Sequence, residues 1–219
     1  RLAGEIGGLS WSLDPDPLGA VFGFIASTLW LFAAVYSFGY MSGKHNQRAY
    51  YTFFLISLSM TLGVAFSGNL VALYLFYELL TFSTYPLVIH ERSPEAVKAG
   101  SKYIIYNLSG AGAILIGIVV TYSWAGNLNF SYGPILAESQ GQGLNWLLLL
   151  FVAGFGVKSA IMPLHRWLPS AMAAPTPVSA LLHAVAVVYS GAYGILRVVY
   201  SVFGHELVRS LNILNIIPW

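Results

Sequence analysis

From Leu18 to Met41 the chain carries no charged residue, and five further stretches of comparable length are nearly as bare. A hydrocarbon core about 30 Å thick takes about 20 apolar residues as a helix. Lipid offers no hydrogen bonds, so a spanning backbone must satisfy itself as a helix or a closed barrel. Runs this long and continuous read as helices. The 219 residues are 57% hydrophobic and 8% charged, with a mean hydropathy of +0.71. A soluble domain is normally about 25% charged. These features make the chain a multi-pass membrane protein with the lipid bilayer as a partner.

The same composition excludes several functions. There is no cysteine, hence no disulfide, thiol chemistry or iron–sulfur ligation. A net charge of +2 is too small to point to nucleic acid. No flavin, haem or metal spacing is visible, so neither a cofactor nor a metal is expected. The start at Arg1, without an initiator Met, reads as a fragment, and the first residues lack the basic-then-apolar order of a signal peptide.

Three parts follow in order. Residues 1–17 are polar and bear Pro and Gly; they read as a loop outside the cytoplasm that enters a helix at DPDPLG. There Asp14 and Asp16 stand near an N-cap and a Pro stands at the helix start. An ion-binding pair of carboxylates is the rival reading. Residues 18–200 are the membrane domain, with spans near 18–41, 50–66, 69–89, 99–124, 144–162 and 177–200. Residues 201–219 are a mixed tail that reads as the possible start of a further helix. Lys44, Arg48, Arg92, Lys98 and Arg166 occur in alternate loops, while the loops near 67–69 and 125–143 hold no Lys or Arg. The positive-inside rule puts the first set in the cytoplasm.

The segment 144–197 constrains function most. LNWLLLLFVAGFGVKSAIM carries one charge, Lys158, and Pro163 breaks the run; PLHRWLPSAMAAPTPVSALLHA continues it. A proline inside a helix leaves a carbonyl without its donor, here that of Ser159. Unpaired backbone at membrane depth is tolerated where it lines a cavity or a protein interior, and broken helices recur at transport sites.

Ionisable groups in such spans cost about 2.5–3.5 kcal/mol on insertion scales and mark pathways. Glu78 lies midway along NLVALYLFYELLTFSTYPLVIH, with Pro86 two turns on. It reads as a titrating group on an ion path; the alternative is a buried carboxyl satisfied by hydroxyl neighbours. Lys158 reads as its adjustable partner, the alternative being a side chain that snorkels past the break. His183 in the sixth span could relay protons or simply bond a backbone carbonyl. Lys102 near the cytoplasmic start of the fourth span either snorkels or joins the path. His165 stands in the break itself, where a relay or hydration role competes with an interfacial one.

With these residues in place, the chain resembles the antiporter-like membrane subunits of respiratory complex I, in its large-subunit type, and of the multisubunit Mrp-type Na⁺/H⁺ antiporters. VKSAIMPLHRWLPSAMAAPTPVSALLHAVAVV is the main carrier of the likeness. LYLFYELLTFSTYPLV resembles the family's glutamate-bearing helix, AGSKYIIYNLSGAG the next one with Lys102, and DPLG the start of an earlier span. The resemblance implies an all-α membrane protein of about six transmembrane helices. One is broken at Pro163, and together they form the first five-helix inverted repeat plus a preceding helix. It implies a longer subunit whose second repeat and central charge this chain does not contain. Some relatives carry a lysine where this chain has Tyr189; the large-subunit type instead keeps the histidine, here His183.

The expected function is proton translocation within a multisubunit complex, through Glu78, Lys158, His183, Lys102 and His165 beside Pro163. Other membrane subunits would be partners, protons the cargo and Na⁺ a second candidate ion, most simply in a prokaryotic inner membrane. Any oxidoreductase activity would belong to the larger assembly. A Glu78–Lys158 pair at about 4 Å and an effective dielectric near 20 interacts by about 4 kcal/mol, falling to about 1.7 at about 10 Å. Moving one charge against 100 mV takes about 2.3 kcal/mol, so changes in separation are of a useful size. The competing classes are a sodium antiporter component and a structural or assembly subunit whose charges only hold helices together.

Overall fold

The computed structural model describes residues 2–6, 9–130, 133–136, 143–181 and 185–211. The first element differs from expectation. Residues before the first span form an antiparallel hairpin, β1 (Leu2–Ile6) and β2 (Leu9–Leu13), with Leu2 opposite Leu13 and Gly4 opposite Trp11. The hairpin is held by partners remote in sequence: Gly68 N donates to Ser12 O at 2.8 Å and Asn69 Nδ2 to Ser10 O at 2.8 Å. A two-stranded hairpin is marginal alone, so its own residues signal it weakly. It is a small addition to an otherwise helical fold.

The first helix, α1 (Pro17–Tyr40), begins as expected, with Asp16 as N-cap accepting from Gly19 N at 2.8 Å and Pro17 in the first turn. The second, α2 (Gln47–Ala65), starts after Asn46 in a left-handed conformation. The third, α3 (Leu70–Val88), is capped by Asn69, whose side chain accepts from Ala72 N, and continues through Pro86. The fourth, α4 (Pro94–Ala125), is longer than the apolar run suggests, because Ser93 caps it and Pro94 opens it in the polar region. Three of these, Pro17–Tyr40, Leu70–Val88 and Pro94–Ala125, are long and apolar enough to cross a membrane by length and composition.

The broken unit comes next. The fifth helix, α5 (Leu144–Lys158), stops at Lys158, earlier than the span near 144–162 expected from the apolar run. Ala160 has φ of +55° and the Met162–Pro163 peptide is cis. A 3₁₀ turn over Leu164–Trp167 and two short helices follow, α6 (Leu168–Ala171) and α7 (Thr176–Leu181). The chain ends in α8 (Val187–Arg197), a π-helical stretch over Val198–Phe203, and α9 (His205–Ser210). The tail therefore contains a short helix, and residues 212–219 lie outside the described ones.

In the bundle α3 packs between α2 and α4 and also meets α7 and α8, while α5 packs on α4 and α8. The α4–α5 contact is made backbone to backbone. A Cβ on Gly110 would lie 2.7 Å from Gly154 O, and one on Gly154 would lie 2.8 Å from Gly110 O. The outward faces are apolar: Phe24, Phe32 and Phe38 on α1, Ile105 and Val119 on α4, and Trp146 on α5 are exposed. In water such faces would be a liability; in a bilayer they face lipid or neighbouring helices. Two apolar clusters fill the interior. Leu73, Tyr77, Phe151 and Phe155 belong to one, and Leu80, Tyr103, Val157 and Trp167 to the other.

Candidate functional site

Lys158 is wholly buried between those clusters. Its Nζ donates to Tyr77 O at 2.6 Å and to Thr81 Oγ1 at 2.7 Å, and sits 3.5 Å from the centre of the Tyr77 ring. Local sequence puts it there. It is the last residue of α5, so the side chain leaves the helix where the backbone turns away. The end of α5 is closed by Ser159 N to Phe155 O at 3.0 Å and Ile161 N to Gly156 O at 2.9 Å. Trp167 Nε1 donates to Val157 O at 2.7 Å, tying the chain beyond the break to the carbonyl beside Lys158. The expectation that Pro163 would free the Ser159 carbonyl is replaced by this earlier, capped stop; Pro163 itself is exposed.

An ammonium taken out of water loses several kcal/mol of hydration. A carbonyl, a hydroxyl and an aromatic face recover part of it.

Glu78 is half-buried on α3, next to Tyr77. Glu78 and Lys158 lie close enough for each to feel the other's charge. Among the described residues, however, the bonds from Lys158 go to Tyr77 and Thr81 rather than to Glu78, and Glu78 Oε1 is buried without a hydrogen-bond partner. The sequence-derived pair is thus a near neighbour rather than a contact pair. Successive helical residues differ by about 100° in direction, so Glu78 lies on the flank of the face that Tyr77 and Thr81 turn to Lys158. Leu79 and Phe82 on that side of α3 are exposed.

Lys102 is half-buried on α4 and donates to Ser170 Oγ at 2.9 Å, bridging α4 to α6 behind the break. His165 lies in the 3₁₀ turn with a buried Nδ1 that has no hydrogen-bond partner among the described residues. His183 lies outside the described residues. The structure therefore sets Glu78 near Lys158 without a bond between them, places His165 on the segment after the break and ties Lys102 of α4 to that segment through Ser170, and leaves His183 undescribed.

Two groupings escaped the sequence reading. One is a set of hydroxyls beside Lys158: Thr81, and Thr84 with Tyr103, whose oxygens are 2.7 Å apart. Threonine and tyrosine in an apolar helix look like ordinary core residues, so only the fold singles them out. The other is Arg197. It is 2% exposed and donates from Nη1 and Nη2 to the two carboxylate oxygens of Asp16, both at 2.6 Å. It also donates from Nε to Tyr193 Oη at 2.9 Å, and Tyr193 Oη donates to Ala65 O at 2.8 Å. A cavity of about 230 Å³ beside this pair is lined by Asp14, Asp16, Ser67, Gly68, Phe130 and Arg197. Burial pulls the Asp16 carboxyl upward, but the bonds from Arg197 and the Gly19 amide outweigh it and hold it below the usual carboxylate value. A signal existed: an arginine near the end of the sixth span and DPLG at the start of the first fall at the same membrane face.

The family model described as NADH:quinone oxidoreductase/Mrp antiporter, TM, matches residues 67–218. The chain belongs to this family. Subunit 5 of the chloroplast NAD(P)H-quinone oxidoreductase of Cichorium intybus is 31% identical over 212 residues, covering 92% of this chain and 28% of that protein. Subunit A1 of a Na⁺/H⁺ antiporter of Staphylococcus aureus is 34% identical over 194 residues, covering 87% of this chain and 24% of that protein. The chain thus spans about a quarter of the length of the curated relatives it matches. Among solved structures, the Mrp complex of Dietzia sp. DQ12-45-1b superimposes with a TM-score of 0.86 at 25% identity, over 97% of this chain and 24% of that chain. The archaeal membrane-bound sulfane sulfur reductase superimposes with a TM-score of 0.80 at 25% identity, over 96% and 44%. The family and the apolar helices make this an integral membrane protein.

Proposed function

We propose that this chain is a proton-translocating part of an antiporter-like subunit, working within a multisubunit membrane complex alongside other membrane subunits. The carrying observation is Lys158: a wholly buried amine at the end of a broken helix, held by one carbonyl and one hydroxyl and within reach of the Glu78 charge. Such an amine can lose and regain a proton as Glu78 is protonated, or as α3 and α5 shift relative to one another. Glu78 tunes Lys158 through its charge rather than through a hydrogen bond. Lys102 and His165 flank the cytoplasmic side of the break, and His183 is assigned a relay role from sequence. The organisms of the relatives suit a prokaryotic cell membrane, with a chloroplast membrane as the other setting.

The test is proton uptake by vesicles containing the assembled complex. Lys158→Ala and Glu78→Ala are each expected to reduce transport severely at normal assembly, and normal transport in both variants removes the proposal. The Staphylococcus aureus relative favours a second reading, a Na⁺/H⁺ antiporter component; transport that depends on Na⁺ at a fixed pH gradient distinguishes it.

A further inference from the structure

We propose that Tyr103 is the relay between Lys158 and the cytoplasmic half of the membrane, acting through the hydroxyls of Thr81 and Thr84. The inference rests on the reading of Lys158 as the proton carrier and names the route by which its proton moves.

Three hydroxyls of the buried interior lie in sequence from Lys158. The ammonium donates to Thr81 Oγ1 at 2.7 Å. The Tyr103 hydroxyl, reaching across from α4, interacts with Thr81 and lies 2.7 Å from Thr84 Oγ1. All three residues are buried, Thr81 and Tyr103 completely and Thr84 to within 1%. Thr84 is one helical turn beyond Thr81 toward the end of α3 that leads into the Arg92 loop, so the row advances about 4.5 Å along the helix axis toward the cytoplasm. Tyr103 is fixed for this role. Its ring packs on Trp167 at 5.3 Å, and Trp167 is bonded to the carbonyl of Val157, the neighbour of Lys158. The break in α5 and the hydroxyl on α4 are therefore held together by one indole.

Hydroxyl rows conduct because each oxygen can accept one proton and release another. Lys158 in its ammonium form gives a proton to Thr81 Oγ1 as Thr81 passes its own to the Tyr103 oxygen. Tyr103 passes its phenolic proton to Thr84 Oγ1, and Thr84, turning from its resting acceptor Leu80 O, gives its own to a water molecule reaching it from the cytoplasmic side. Lys158 is left neutral, every hydroxyl is restored, and one proton has moved. The reverse order reloads Lys158. Between Thr84 and Tyr103 either oxygen can be the donor, as a row that works in both directions requires. Thr81 Oγ1 has a resting acceptor in Tyr77 O at 3.3 Å, so it keeps a partner when the Lys158 ammonium turns away.

The experiment uses the assembled complex in vesicles, with proton uptake measured in H₂O and D₂O. Tyr103→Phe removes the hydroxyl and keeps the ring on Trp167. It is expected to slow transport roughly tenfold or more, the lower range of what a positioned proton donor contributes, and to change the solvent isotope effect, which lost packing alone would not do. Thr84→Val is expected to behave alike, and Thr84→Ser to restore most of the transport. Because the groups act in series, Tyr103→Phe with Thr84→Val should be little worse than either alone. Losses that multiply, or a Thr84→Ser as slow as Thr84→Val, overturn the relay. Normal transport in Tyr103→Phe while Lys158→Ala is dead overturns the relay and leaves the Lys158 reading standing. Normal transport in Lys158→Ala overturns both. Should Tyr103→Phe fail to assemble, the Thr84 pair decides.

Discussion

Arg197 grips both carboxylate oxygens of Asp16 at 2.6 Å, across 181 positions of sequence. The pair joins the start of α1 to the end of α8, and through Tyr193 it also holds the last turn of α2 at Ala65. One ion pair thus ties together three helices at the face opposite the break.

Removing Asp16 leaves a buried guanidinium with only Tyr193 as partner among the acceptors given above. A broken buried pair costs about 3–5 kcal/mol. Because the Asp16 side chain is 40% exposed, solvent screening reduces this to about 2 kcal/mol. Asp16→Ala should lower the melting temperature of the detergent-solubilised protein, while Arg197→Met with Asp16→Ala should cost less than Asp16→Ala alone. The sign with pH follows from the depressed carboxyl: its contribution is present above the unfolded value near 3.9 and is lost as pH falls through the folded value. A melting curve of Asp16→Ala with the same acid dependence as the parent contradicts the assignment.

His90, just past the end of α3 that leads into the Arg92 loop, is 7% exposed and stacks on His45 with ring centres 5.3 Å apart. Burial first, and then the neighbouring His45, push its imidazole below the ordinary value, against a smaller pull from Glu91. The neutral form is the folded form, so the stability it contributes is complete above about pH 6.5 and is lost as pH falls through the lower folded value. Hydrogen-exchange protection, corrected for the intrinsic rate, should therefore fall between pH 7 and pH 5 where the α1–α2 loop meets the end of α3. His90→Gln should flatten that dependence; an unchanged profile would place the effect elsewhere.

Lys158→Met offers a separation of roles. Replacing a buried charge by an apolar side chain of similar length is often neutral or stabilising, and Thr81 keeps its bond to Tyr77 O. The variant should assemble and melt at or above the parent temperature while losing transport. A structural role for the lysine predicts the reverse: lower yield, with normal proton movement in whatever assembles.

Trp167→Phe keeps an aromatic ring beside Tyr103 but deletes the bond to Val157 O. That carbonyl still accepts from Ala160 N at 3.1 Å, so the loss should be about 1 kcal/mol, read as a small fall in melting temperature. The same substitution loosens the support of Tyr103 and should slow proton uptake by more than that figure alone explains.

Much of this was legible in the chain. The absence of charge over long runs gave the helices, DPLG gave the cap of α1, and Lys158 before Pro163 marked the break. What remained hidden depends on contacts between remote segments. Lys158 and Thr81 are 77 positions apart, and nothing local to LYLFYELLTF says which of its polar groups turns inward. The eye goes to Glu78 because it carries a charge, whereas helix geometry gives the lysine the carbonyl and hydroxyl one step around. Arg197 was passed over because its partner stands at the other end of the sequence. The hairpin at residues 2–13 escaped because Asn69 and Gly68, not its own residues, hold it.

The meeting of Gly110 and Gly154 makes α4 and α5 a single bar. With carbonyls set where side chains would otherwise stand, neither can slide past the other without losing contact along its whole length. Mechanical play in the bundle falls more easily on the other side of α5, where its end meets α3 through the edge of one aromatic ring, Phe155 on Tyr77, and a long, flexible lysine side chain that can swing without disturbing the frame.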